Sequence, residues 1–354
     1  MDEQALNKVA RELVAPGKGI LAADESSGTI KKRFDAIGVE STETNRRDYR
    51  ELLFRTPGAA EYVSGVILYD ETIRQKAADG TPMVKVLQDQ GVHPGIKVDL
   101  GAKPLANRPG ETVTEGLDGL RERFAEYKKL GATFSKWRAV IKIAPGSSSA
   151  ASATIPTRGC IEANAHALAR YAALSQEAGI VPIVEPEVLM DGDHSIDTCY
   201  DVTLVTLHAV FRELAGARVV LEEMLLKPNM VLSGSEAKGR ATAQDVARYT
   251  LHCFRQAVPA AVPGIVFLSG GQSDQEATVN LDAINRRAME IGGVPWQLSY
   301  SYGRGLQAAP QKAWAGKKEN VAAAQRAYHH RAKLTSAARM GKYSPEMERE
   351  LAPV

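Results

Sequence analysis

Cysteine is scarce, with only Cys160, Cys199 and Cys253 in 354 residues. Widely spaced and odd in number, they make neither a zinc spacing nor a disulfide framework, which fits a reducing cytoplasm. No run of about 18 apolar residues occurs, so no membrane span is expected. Neither charge is in excess: 44 Lys and Arg stand against 42 Asp and Glu, interspersed, for a formal net charge of +2. Nucleic acid and membrane surfaces are therefore not expected partners, although a balanced total leaves room for lysines gathered inside a pocket. The first twenty residues lack the apolar core of a signal peptide, and Asp2, Glu3 and Glu12 argue against a transit peptide. No G-x-G-x-x-G follows an early strand, which weakens a doubly wound dinucleotide-binding sheet. Asp191-Gly192-Asp193-His194 has no second histidine at a fixed helical spacing, so it reads as a turn and helix cap rather than a metal site.

What is present is alternation. Leu6, Val9, Leu13 and Val14 fall at helical spacing and predict an amphipathic helix over 1–18. Eight short apolar runs follow, at about 19–24, 62–68, 95–99, 134–143, 180–187, 221–227, 264–271 and 296–304. Helical patterns lie between them, near 43–54, 116–130, 161–179, 198–215, 243–257 and 275–291, and a polar helix spans about 317–337. The Ser-, Ala-, Gly- and Pro-rich stretch 145–159 reads as a long loop. A hydrophobic fraction of 44% allows a large core. With no composition break, the expectation is one (β/α)8 TIM barrel over 1–354, an α/β fold with a short tail at about 338–354.

Such a barrel puts function at the C-terminal ends of its strands. The residues there are Asp24, Lys97, Asp99, Lys136, Arg138, Glu185, Glu187, Lys227, Ser269, Ser301 and Arg304. Side chains two apart on a strand share a face, so Lys97 with Asp99, Lys136 with Arg138, and Glu185 with Glu187 each point one way. Any one pair is explained as well by a structural ion pair. All of them at one face of one sheet are costly unless they converge on one another or on a ligand. The lysines and arginines, with Ser269-Gly270-Gly271 and Ser301-Tyr302-Gly303-Arg304, suggest an anionic, phosphate-bearing substrate.

Lys227 follows the apolar Met224-Leu225-Leu226, and Pro228 after it has no N–H to continue a ladder. A lysine nucleophile needs its neutral amine, and at an ordinary pKa of about 10.4 roughly one in 2,500 is neutral at pH 7, a gap of about 4 kcal/mol. A second cation about 4 Å away contributes a similar repulsion at an effective dielectric of about 20. Lys136 is the candidate neighbour; Glu185 and Glu187 oppose the effect, so burial must add to it. Carboxylates beside an amine serve the proton transfers of imine chemistry. The residues thus point to a Schiff-base enzyme acting on a phosphorylated carbonyl compound.

The segments Leu21-Ala22-Ala23-Asp24-Glu25-Ser26, Gly95-Ile96-Lys97-Val98-Asp99, Lys136-Trp137-Arg138, Val181 to Glu187, Leu225 to Met230, Phe267 to Ser273 and Ser301 to Arg304 carry a resemblance. Over essentially the whole chain it resembles the class I fructose-bisphosphate aldolases. The resemblance implies imine formation on Lys227, and acid/base work by Glu187 around carbinolamine formation and dehydration. Asp24 would support proton transfer at the breaking bond, and Lys136 and Glu185 would tune the site. Ser269, Gly270, Gly271, Ser301, Gly303 and Arg304 would hold the C1 phosphate, with Arg33, Lys97 and Arg138 facing the other end of the sugar. It also implies no metal, no cofactor, and a cytoplasmic homotetramer.

The sequence departs from the animal pattern in three places. Thr29 replaces a serine near the distal phosphate, the 145–159 loop is longer, and the tail Glu350-Leu351-Ala352-Pro353-Val354 lacks the terminal tyrosine used in proton exchange. Tyr343 is the nearest tyrosine, and that role does not transfer to it. Rival readings are a metal-dependent aldolase through Asp191, Asp193 and His194, a transaldolase-like lyase with another sugar phosphate, and a binding protein that has lost catalysis. Trp137 is expected to pack rather than stack on substrate, and His329 and His330 to be solvated.

Overall fold

The computed structural model describes residues 3–145 and 155–349. Eight parallel strands close a barrel: β1 Gly19–Ala23, β2 Val63–Leu68, β3 His93–Lys97, β4 Phe134–Ile141, β5 Val181–Val188, β6 Leu225–Leu226, β7 Gly264–Phe267 and β8 Gln297–Tyr302. Each strand pairs with its neighbour in sequence, and β8 pairs with β1 to close the ring. Helices cover the outside, so the strands are apolar on both faces, as in parallel sheets generally. Trp137, fully buried, lies between barrel and helix and stacks on Tyr171 at 5.6 Å, a packing role as expected.

The N-terminal helix is Glu3–Leu13, shorter than the expected 1–18, and it seals the floor of the barrel. Leu6, Ala10, Leu13 and Val14 join Ile20, Phe134, Val181, Leu225 and Val266 in one buried cluster. Glycines make that closeness possible: a Cβ at Gly95 would fall 2.3 Å from the Phe134 ring, and one at Gly264 would fall 2.6 Å from Val14. The buried Arg339 grips this floor from the last long helix, Val321–Arg339. Its guanidinium donates to the main-chain oxygens of Val14, Ala15 and Lys18, and burial pushes its pKa down to about 10.

Several boundaries differ from the sequence reading. Residues 221–227 are not one strand: Leu221–Glu223 forms a 3-10 turn, and only Leu225–Leu226 joins the ladder. Two short helices, Asp70–Arg74 and Met83–Gln88, and a hairpin pairing Ala102–Pro104 with Thr112–Thr114 were not anticipated. Neither was the helix Arg304–Trp314, which starts where β8 ends. His329 is half-buried edge-on to Tyr62, and His330 is half-buried too, so the expected solvated face is partly packed. Most of the 145–159 loop and the end of the tail lie outside the described residues. Among the described residues no helix is long and apolar enough to cross a membrane.

Candidate active site

A cavity of about 940 Å³ opens at the C-terminal ends of the strands, and every expected site residue except Gly271 lines it. Gly271 turns the chain just behind, at φ +76°, a conformation that favours glycine. The local cause is the parallel register. Lys97 of β3 is level with Lys136 of β4, and Arg138 of β4 is level with Glu185 of β5, so charges from successive strands arrive side by side.

At the centre one carboxylate serves two lysines. Glu185 Oε1 is 3.2 Å from Lys227 Nζ, and Oε2 is 3.3 Å from Lys136 Nζ. Lys136 also lies 2.7 Å from Asp24 and 4.0 Å from Asp99. All five groups are buried. Burial works to lower the Lys136 pKa, but Asp24, Glu185 and Asp99 outweigh it, and the ammonium is held well above its ordinary range. Asp24 is the mirror case. Burial raises its pKa, yet Lys136, then Lys227 and Lys97, hold the carboxyl well below the usual carboxylate range. The expected repulsion between Lys136 and Lys227 is therefore screened by a carboxylate set between them. Lys227 itself is fixed by its main-chain N–H, which donates to Val184 oxygen at 2.8 Å.

Glu187 sits to one side, paired with Arg138 Nε. Burial lowers the Arg138 pKa, but Glu187, with Glu185 and Asp99, outweighs it, and the guanidinium stays charged. Glu187 Oε1 occupies space a side chain at residue 270 would need, 2.5 Å from the Cβ position of Gly270. Beyond it, Ser269 Oγ accepts from Gly305 N–H at 3.3 Å, joining the β7 turn to the start of the Arg304–Trp314 helix. Ser301 Oγ is buried with no hydrogen-bond partner among the described residues. A helix N-terminus, a glycine turn and a free hydroxyl together suit a phosphate.

Arg33 pairs with Glu25, and its Nη2 is 3.7 Å from the Cβ position of Gly303, so its charge falls at the Gly303 end of the cleft. Lys97 is held by Asp99 Oδ1 at 2.8 Å and by Asp99 main-chain oxygen at 2.7 Å. The Ser26 and Thr29 hydroxyls lie 3.1 Å apart at the rim. Two charged residues here have no role in the sequence reading. Glu25 binds Arg33 and accepts from Gln307 Nε2 at 2.7 Å; its only signal was its place after Asp24. Asp99 was visible as a strand-end acid, but its reach to Lys136 was not. The Asp191-Gly192-Asp193-His194 turn is tied by its backbone to 234–236, and the adjoining helix is capped by Ser195, one residue later than the turn. Among the described residues no group of three or more His, Cys, Asp or Glu is placed to hold a metal ion.

A family model described as fructose-bisphosphate aldolase class-I matches residues 5–353. A protein of Xanthomonas campestris pv. campestris, named probable fructose-bisphosphate aldolase class 1, is 54% identical over 344 residues, 97% of this chain and 99% of the relative. The cytoplasmic isozyme of fructose-bisphosphate aldolase from Spinacia oleracea is 53% identical over 343 residues, 95% of this chain and 93% of its own. Among solved structures, the fructose-bisphosphate aldolase of Plasmodium falciparum, crystallised with TRAP and a small-molecule inhibitor, superposes with a TM-score of 0.92 at 50% identity. That match covers 96% of this chain and 95% of the other. With a closed parallel barrel, a match along nearly its whole length and relatives above half identity, the chain belongs to the class I fructose-bisphosphate aldolases.

Proposed function

We propose that this protein cleaves fructose 1,6-bisphosphate reversibly to dihydroxyacetone phosphate and glyceraldehyde 3-phosphate, with Lys227 as the Schiff-base lysine. The observation that carries this is the buried Lys227–Glu185–Lys136–Asp24 chain facing the cavity. The Lys227 amine adds to the C2 carbonyl of the ketose. Glu187, held by Arg138, moves the protons that make and then dehydrate the carbinolamine. Asp24, ionised between lysines, takes the C4 hydroxyl proton as the C3–C4 bond breaks, and the bonding pair passes into the iminium to give an enamine. The aldehyde leaves, C3 is reprotonated, and water releases the second product.

The C1 phosphate would lie between Ser269-Gly270-Gly271 and Ser301, Gly303 and Arg304, where main-chain N–H groups at a helix start complement its charge. Arg33, beside Gly303, is assigned to the same end, and Lys97 to the distal phosphate. The spinach relative's cytoplasmic name supports a cytoplasmic enzyme, and the family resemblance supports a homotetramer, readable by sedimentation. Borohydride added with fructose 1,6-bisphosphate should attach substrate to Lys227. A Lys227→Met protein that still becomes labelled would end the assignment.

A further inference from the structure

Asp99 is bonded toward both ends of the charged cleft. Its carboxylate is buried. Oδ1 lies 2.8 Å from Lys97 Nζ and accepts from Gly101 N–H at 3.1 Å. Oδ2 accepts from Arg138 N–H at 3.2 Å and lies 4.0 Å from Lys136 Nζ. The other acids around Lys136 are Asp24 at 2.7 Å and Glu185 at 3.3 Å, and Glu185 in turn reaches Lys227. Lys97 keeps 16% of its side chain exposed at the cavity wall, whereas Lys136 keeps 5%. An ammonium beside a carboxylate offsets that carboxylate's field at a second ammonium, and a ligand anion that neutralises the first ammonium removes the offset.

We infer that Asp99 is a positioning residue that couples the distal phosphate of the substrate to the Schiff-base site by exchanging Lys97 for Lys136. The inference rests on the reaction proposed above. When the substrate carries one phosphate, Lys97 keeps Asp99 Oδ1, and Lys136 is held chiefly by Asp24 and Glu185, with Asp99 Oδ2 at 4.0 Å. When it carries two, the distal phosphate takes the Lys97 ammonium and the Asp99 carboxylate strengthens its hold on Lys136. Glu185 is then released toward Lys227, where proton transfer is needed.

The test measures kcat and KM on fructose 1,6-bisphosphate and on fructose 1-phosphate for wild type and Asp99→Asn. The bisphosphate kcat should fall about tenfold while the monophosphate kcat stays within about twofold, and the bisphosphate KM should not rise, because Lys97 has lost a competitor for phosphate. A merely structural Asp99 would depress both substrates together and raise KM, and that result overturns the inference. Should Asp99→Asn fail to fold by circular dichroism, Lys97→Met decides. It leaves Asp99 to Lys136 with either substrate, so the fructose 1-phosphate kcat should rise at least about threefold, and an unchanged or lower value overturns the coupling. Borohydride trapping of the wild type separates the two readings. An unlabelled wild type removes the Schiff-base reaction itself, whereas labelled protein with parallel losses removes only the coupling.

Discussion

A Cβ at Gly270 would fall 2.5 Å from Glu187 Oε1 and 2.8 Å from Leu268 Cδ1. Gly270→Ala should therefore push the Glu187 carboxylate off Arg138 without unfolding the barrel. Displacing a proton-transfer group by about 1 Å costs on the order of a hundredfold in kcat, with a smaller loss in KM. A steady-state kcat within about threefold of wild type would separate Glu187 from the chemistry. At this scale the sequence was most informative about residues on strands, because period two and a terminal proline are enough to gather Lys97, Lys136, Glu185 and Lys227 at one mouth. It was silent where partners meet across the mouth. Lys136 on β4 meets Asp24 after β1, and these strands are not neighbours in the barrel. Asp99 reads locally as a self-contained pair with Lys97, and only the curvature of the sheet brings its other oxygen toward Lys136.

The elements missed were short or atypical. Helices of five and six residues, Asp70–Arg74 and Met83–Gln88, are too brief for a 3.6-residue period to register. Arg304–Trp314 begins at a glycine and contains Pro310, both breaker signals. After the last long helix, the segment leading to the 3-10 turn Pro345–Arg349 is fastened to the outside of the barrel. Arg331 pairs with Glu348 at 2.6 Å, and the Tyr343 hydroxyl donates to the same carboxylate at 2.9 Å. Burial, then the bond to Glu348, pushes the Tyr343 phenol up to about 12. The folded value exceeds the unfolded one, so the stability this group contributes is complete below about pH 10 and is lost as pH rises through about 12. Tyr343→Phe should lose about 1 kcal/mol at neutral pH and then show an alkaline loss shallower by one proton than wild type. Urea midpoints at pH 9 and 11.5 measure both, and parallel slopes would assign the alkaline loss to the other buried tyrosines. The same geometry commits Tyr343 to anchoring the segment.

Acid should attack the molecule as a whole, through the cluster that joins several strands at the mouth. The folded pKa of Asp24 is depressed, so its contribution to stability is present above the unfolded value of 3.8 and disappears as pH falls through the folded value. Asp24→Asn, with no proton to take up, should melt lower than wild type at pH 7 yet lose less on acidification from pH 4 to 2; equal slopes in thermal melts would shift that acid limb to other carboxylates. The closed parallel barrel was legible because alternating strands and helices leave few other arrangements. The sealing of its floor was not, since Arg339 meets Val14 across 325 positions of chain, far beyond any local pattern. That long reach bears on how the protein is made. A ribosome delivers the plug helix Glu3–Leu13 long before its clamp, because Arg339 follows Val14 by 325 positions. Until Arg339 is made, the nascent chain carries Leu6, Leu13 and Val14 without the residue that locks them down, so the floor of the barrel is the part that stays exposed while the eight strands are synthesised.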